Sequence, residues 1–180
     1  MRILREHCAC VVIDIQERLF PVMDLGEAFL ERTRILLEGL RILEVPVLVT
    51  EQYPRGLGPT LRQVSEILDS TEILEKLAFS CCDEPDFLVR LDALGRTQVI
   101  ICGIESHVCV LQTVLDLLEK DYLPVVVADC TTSRKKTDKE IALERMRQEG
   151  AVITSSESIL FELARVAGTG TFKAISALVK

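Results

Sequence analysis

Three residues in this 180-residue chain carry side chains suited to attack on a carbonyl: Asp14, Lys76 and Cys109. Asp14 closes the run Cys-Ala-Cys-Val-Val-Ile-Asp, and an acid placed directly after a buried strand needs a partner to offset its desolvation. Lys76 closes a third run, Glu72–Lys76. If its ammonium reaches Asp14, each group holds the other charged. Cys109 follows Ile-Ile-Cys-Gly103-Ile-Glu-Ser-His-Val, where Gly103 permits a sharp turn and a helix begins near His107. A thiol in a first helical turn feels free N–H groups and the positive end of the dipole, which favour the thiolate. The same N–H groups suit an oxyanion. Each residue also has an ordinary use: Asp14 as a strand-end cap, Lys76 as an exposed cation, Cys109 as a buried structural thiol.

His107 lies two residues from Cys109, but side chains at i and i+2 of a helix do not face each other. A Cys–His dyad is therefore disfavoured, and a surface or subunit-contact role suits His107 better. Gly56-Leu-Gly58 lacks both the phosphate-loop lysine and the dinucleotide spacing, which argues against a nucleotide-binding module. With two histidines and no Cys-x-x-Cys, a zinc site on the usual spacings is not expected. Asp129, ending a fifth run, reads as a turn or supporting residue.

These residues need a scaffold. Six short apolar runs recur: Cys8–Asp14, Val45–Glu51, Glu72–Lys76, Gln98–Gly103, Pro124–Asp129 and Ala151–Thr154. Most are continuous rather than alternating, as strands buried on both faces require. Amphipathic stretches alternate with them: Glu27–Leu43, Pro59–Leu68, Pro85–Leu94, His107–Lys120, Asp138–Gln148 and Ser156–Ala167. Thr137 reads as an N-cap and Gly150 as a C-terminal stop for the fifth. Gly168-Thr-Gly170 reads as the start of a flexible tail. The βα alternation predicts an α/β domain over 1–180: a doubly wound parallel sheet with helices on both faces. Ligands in such sheets bind outside the carboxyl ends of the strands, where the three candidates stand.

Composition narrows the function. Apolar residues make up 48% of the chain and Trp is absent, so the core is aliphatic. Mean hydropathy is +0.28 and the pI is near 5.0. A net charge of −7 argues against a nucleic-acid partner, because no basic face is available; Arg134-Lys135-Lys136 is followed at once by Asp138 and Glu140. No apolar run approaches a membrane span, and Met1-Arg-Ile-Leu-Arg-Glu carries too much charge for a leader's apolar region. Together with seven cysteines, an odd number, this predicts a cytoplasmic protein.

The run-ends together resemble the isochorismatase-like cysteine hydrolase superfamily. The resemblance rests on Val-Ile-Asp14-Ile-Gln-Glu, Thr50-Glu-Gln-Tyr-Pro-Arg-Gly-Leu-Gly58, Lys76-Leu-Ala-Phe-Ser80, Cys102-Gly-Ile-Glu-Ser-His-Val-Cys109-Val-Leu-Gln-Thr113 and Asp129-Cys-Thr-Thr-Ser-Arg134. The Gly-Ile-Glu-Ser-His-Val-Cys block with Thr-Glu-Gln-Tyr-Pro is most similar to the isochorismatase-domain-containing subgroup.

The resemblance implies a three-layer α/β/α Rossmann-like fold with a six-stranded parallel sheet in the order 3-2-1-4-5-6. It implies the catalytic triad Asp14, Lys76 and Cys109, a cis peptide at Ile104–Glu105, and an oxyanion hole of the Glu105 and Cys109 N–H groups. It also implies amide-type C–N hydrolysis through a thioester on a small-molecule substrate, and a homo-oligomer, dimer or larger. Phe20, Gln52 and Tyr53 follow the first two strands and are expected to line the pocket. Nicotinamidases of this superfamily carry an Asp/His metal cluster after the second strand. Thr50–Gly58 contains no His, so neither metal nor cofactor is expected. The retained Cys109 argues against vinyl-ether cleavage of the isochorismatase type. The alternative to an enzyme is a vestigial, oligomeric interaction protein.

Overall fold

A computed structural model describes residues 1–68 and 71–180. Six strands form one sheet: β1 (Cys8–Ile13), β2 (Val47–Gln52), β3 (Ile73–Lys76), β4 (Gln98–Ile104), β5 (Leu123–Thr132) and β6 (Val152–Thr154). All pairings are parallel and the order is β3-β2-β1-β4-β5-β6, as expected. Order reverses at β1, so the gap outside the ends of β1 and β4 is the switch point.

The two central strands are buried along their whole length. Their side chains alternate between two cores, as a period of two dictates. Cys8, Cys10, Val12, Ile100, Cys102 and Ile104 meet α1 (Gly26–Ile42) and its neighbours on one face. Ala9, Val11, Ile13, Val99 and Ile101 meet Phe87 and Leu91 of α4 (Pro85–Ala93) and Val114 and Leu117 of α5 (Leu111–Glu119) on the other. Continuous apolar runs, rather than alternating ones, follow directly from that double burial.

Gly103 makes the close approach of β1 and β4 possible. Its φ is +132°, and a Cβ there would lie 2.1 Å from the Ile13 carbonyl oxygen. Only glycine fits.

Three local expectations need correction. The segment after β2 forms a short turn of helix, α2 (Pro54–Leu57), and then α3 (Arg62–Leu68), rather than one helix from Pro59. Glu51 holds Thr60 extended through its N–H and hydroxyl at 2.6 and 2.7 Å, and Thr60 bridges Gln16, so helix begins only at Arg62. The fifth long helix, α6, spans Lys136–Glu149 with Lys135 at its N-cap; Thr137 lies inside it and caps nothing. The loop before it is clamped to the β4 end by Arg134 and Ser133, which sets the earlier start. Gly150 does end α6, at φ +115°. Finally, α7 covers Ser156–Ala164, and the C-terminal segment beyond it is not a loose tail. Thr169 caps a further helix, α8 (Gly170–Leu178), which buries Ile175 against α1 and α7.

Candidate active site

The carboxyl ends of β1, β2, β3 and β4 converge on one charged cluster. Asp14 follows β1 directly, is fully buried, and has a left-handed φ of 52°. That conformation is unusual for a residue with a side chain and is found where surrounding structure imposes it. One carboxylate oxygen accepts from Lys76 Nζ at 2.7 Å and the other from Thr50 Oγ1 at 2.8 Å. Lys76, the last residue of β3, is 3% exposed and reaches across β2 with its long side chain. Its ammonium also donates to the carbonyls of Ala78 and Phe79 at 3.1 and 3.0 Å. Burial works against that charge, but Asp14 and the neighbouring thiols outweigh it and raise the Lys76 pKa above the usual lysine value.

Cys109 enters from β4. Its helix opens with a wide π-helical turn, Ser106–Val110, before α5 begins. Val108 and Val110 both donate to the Glu105 carbonyl, at 3.1 and 3.2 Å; the intervening Cys109 N–H does not. The Ile104–Glu105 peptide is cis. Cys109 is 3% exposed, and its thiol donates to Gln52 Oε1 at 3.3 Å, with Asp14 beside it.

The thiol is not the resting thiolate that a helix N-terminus alone predicts. Burial, and then the negative charge of Asp14, push its pKa well above the ordinary cysteine value, against the opposing pull of Lys76. The dipole of one helical turn is the weaker influence, because both larger effects act on a group removed from water.

Of the expected pocket residues, Gln52 meets the thiol. Its Nε2 donates to the Leu77 carbonyl at 3.3 Å, which turns the oxygen toward Cys109. Tyr53, with φ 40°, lines a cavity of about 370 Å³ beside Lys76, together with Arg55, Leu77 and Glu84. Phe20 packs instead on Phe29, with ring centroids 6.5 Å apart, and on Gly26 at the start of α1. Glu105 turns its carboxylate outward to Arg134, accepting from N–H and Nε at 3.1 and 3.0 Å. His107 faces Ser133 at 3.0 Å through Nδ1 and Asp138 at 3.9 Å through Nε2, so it is engaged away from Cys109. Asp129 accepts from the Ser156 N–H and hydroxyl at 2.8 and 2.6 Å and holds the start of α7.

Four participants escape a reading by residue type: Gln16, Thr50, Cys81 and Thr113. Thr113 Oγ1 donates to the Cys109 carbonyl at 2.7 Å and accepts from the Cys81 N–H at 3.0 Å, tying the Cys109 turn to the loop after β3. Cys81 is fully buried, and burial pushes its pKa to about 11. The spacing of Thr50 is the one available signal, since it lies on β2 beside the β1 end.

An isochorismatase-domain model matches residues 8–158, most of the chain. The chain belongs to the isochorismatase family. Family membership carries a general hydrolase role. Isochorismatase domain-containing protein 2 of Homo sapiens is 36% identical over 99% of this chain and 86% of its own length. The secreted isochorismatase effector Isc1 of Phytophthora sojae is 38% identical over 99% of this chain and 87% of its own. Among solved structures, the MAR1 ribonuclease of Caenorhabditis elegans superposes with a TM-score of 0.94 at 38% identity, covering 99% and 92% of the two chains. The ycaC gene product of Escherichia coli, described as an octameric hydrolase of unknown specificity, superposes at 0.93 over 99% and 90%. Its identity of 21% speaks to the isochorismatase fold alone. Among the described residues, no helix is long and apolar enough to cross a membrane.

Proposed function

We propose that this isochorismatase-family chain is a metal-independent cysteine hydrolase that cleaves an amide-type C–N bond of a small molecule through a thioester on Cys109. The observation that carries the reading is the buried Lys76–Asp14 pair at 2.7 Å beside a thiol with which neither is contiguous in sequence. A buried ion pair is not an economical source of stability, so its position next to a nucleophile favours a chemical use. The absence of His from Thr50–Gly58 supports the metal-independent form.

Asp14 takes the Cys109 proton as substrate enters, and the sulfur adds to the carbonyl carbon. The raised thiol pKa ties this transfer to substrate binding and keeps the resting site neutral at sulfur. The N–H groups of Glu105 and Cys109 hold the oxyanion. The C–N bond then breaks, and Asp14 returns the proton to the departing amine. Asp14 next deprotonates water, which cleaves the thioester and restores the thiol. Lys76 stays charged throughout and fixes the carboxylate. Gln52 and Tyr53 face the entering substrate.

The proposal extends to a homo-oligomer and to the cytoplasm. All seven cysteines are unpaired and buried, as a reducing compartment permits. RNA cleavage, the activity named for the Caenorhabditis elegans protein, is disfavoured here by the net charge of −7.

The test compares wild type with Cys109→Ala on a panel of small amides, carbamoyl compounds and imides, with RNA as a further substrate. Turnover of a C–N substrate by wild type alone is the expected result. Equal turnover by both proteins would overturn the mechanism. Cleavage of RNA alone would replace the substrate class, and no turnover of any substrate would favour the vestigial interaction protein.

A further inference from the structure

Gln16 is fully buried, two residues past Asp14, and its side-chain hydrogen bonds go to the last residue of β2 and to the loop that follows it. Its Oε1 accepts from the Gln52 N–H at 2.8 Å. Its Nε2 donates to the Gln52 carbonyl at 3.0 Å and to the Gly58 carbonyl at 2.7 Å. One side chain therefore clamps both backbone polar groups of Gln52, the residue whose carboxamide meets the Cys109 thiol. The Gln16 N–H donates in turn to the Asp14 carbonyl at 2.9 Å, so the clamp starts from the turn that carries the base.

We infer that Gln16 is a positioning residue that sets the distance and orientation of the Gln52 carboxamide at Cys109, and thereby the reactivity of the thiol. The inference rests on the reading of Cys109 as nucleophile, but Gln16 touches neither the thiol nor the substrate. It acts through Gln52. A carboxamide accepting from S–H stabilises the protonated thiol. Withdrawing it frees the sulfur to ionise at lower pH. Two of the Gln16 amide's three bonds fix Gln52 along two directions at once, where a single bond would leave it free to pivot, and the third anchors the amide to Gly58. The antiparallel bridge between Gln16 and Thr60 closes the same loop from its far end.

The experiment needs no substrate. Cys109 is alkylated with iodoacetamide across pH, and labelling of its peptide is followed by mass spectrometry in the full chain. Gln52→Leu is expected to lower the midpoint of the labelling profile. Gln16→Met is expected to lower it by the same amount, and the double variant by no more than either single. Residues that act as one unit are non-additive in this way. Gln16→Asn keeps the amide but shortens its reach, and should give an intermediate midpoint even if Gln16→Met does not fold. Ile175→Ala, in α8 on the opposite core, controls for general loosening and should leave the midpoint in place.

Three results would overturn the inference: an unmoved midpoint in the Gln16 variants, a double variant equal to the sum of the singles, or an equal shift in Ile175→Ala. Failure of the proposed function is read separately. Cys109→Ala that retains full turnover overturns that function without touching the labelling cycle. Loss of turnover in Cys109→Ala with an additive cycle overturns the Gln16 inference alone.

Discussion

Cys102 and Cys109 sit seven residues apart on the same chain segment, both buried, yet their surroundings differ in kind. Cys102 lies mid-strand in the core facing α1. A hydrogen bond with the Cys10 thiol, and then burial, raise its pKa well above the ordinary value. Its other polar neighbour is the Val11 carbonyl at 4.0 Å. Cys109 stands past the strand end, on the opposite core, with Asp14, Lys76 and the Gln52 carboxamide around it. Both thiols rest protonated. Only Cys109 of the two has a carboxylate and a cation beside it. Burial makes a thiol inert, and a neighbouring carboxylate gives its proton somewhere to go.

Exchanging the two thiols separately gives the widest separation. Cys109→Ala should lower turnover by roughly 10³-fold or more while the chain stays folded. Cys102→Ala should leave turnover intact and reduce stability by about 1–2 kcal/mol through the small cavity it creates. A substrate assay beside urea unfolding reads both. Equal activity of the two variants would erase the distinction.

Lys76→Met probes the charged half of the comparison. It leaves the fully buried Asp14 carboxylate without its cation, and should destabilise the fold by about 3–5 kcal/mol. Chemical denaturation measures this. A loss below about 1 kcal/mol would place the pair among weak surface bridges instead.

The thiols as a group predict a response to alkali. Burial raises Cys8 and Cys82 to about 12 and Cys81 to about 11, and Cys102, Cys109 and Cys130 also lie above the ordinary value. Above a pH of about 8.5 the unfolded chain loses thiol protons that the fold retains, so stability falls with rising pH. Each such thiol contributes a slope of about 1.4 kcal/mol per pH unit between those limits. The raised Lys76 pKa adds to this only at higher pH: its stabilisation is complete below the unfolded lysine value and is lost as pH climbs through the folded one. Lys139, held low by burial, partly offsets the trend. Melting temperatures from pH 7 to pH 10 should decline, and a flat profile would contradict the buried-thiol picture.

The smallest effect belongs to Arg134→Ala. Its partner Glu105 bears on the Cys109 turn, but the Arg134 side chain is 59% exposed. A change within about 1 kcal/mol is expected, read as a small shift in melting temperature.

Much of the architecture is legible in the sequence. Six apolar runs, most of them continuous, announce six parallel strands, most plainly β1 and β4, because a doubly covered strand has no polar face to encode; the mixed Glu72–Lys76 run matches a largely exposed edge strand. Asp14, Lys76 and Cys109 stand out because charge and sulfur at strand ends are chemically conspicuous. Gln16 and Thr50 do not stand out, since an amide or hydroxyl after a strand is ordinary in type, and their importance arises only when loops from separate strands meet. The Cys109 pKa is misread from sequence for a related reason. Helix position is local and visible in sequence, whereas burial and the approach of Asp14 across a strand boundary are tertiary. The α8 helix escapes because Gly168-Thr-Gly170 reads as a break, although Thr169 accepts from the Phe172 N–H at 3.0 Å and starts a new helix.

Gly103 bears on tolerance as much as on shape. The absent methyl group at that position works as a spacer of zero thickness between the two strands that deliver Asp14 and Cys109. A Cβ at 2.1 Å from the Ile13 carbonyl is far inside any permitted contact, so a single added carbon would drive the strands apart. Displacements of about 1 Å in a reacting pair can lower rates about 100-fold. The clearance between Asp14 and Cys109 is thus set from within the sheet, by an atom that is not there, and no adjustment of surface loops could restore it.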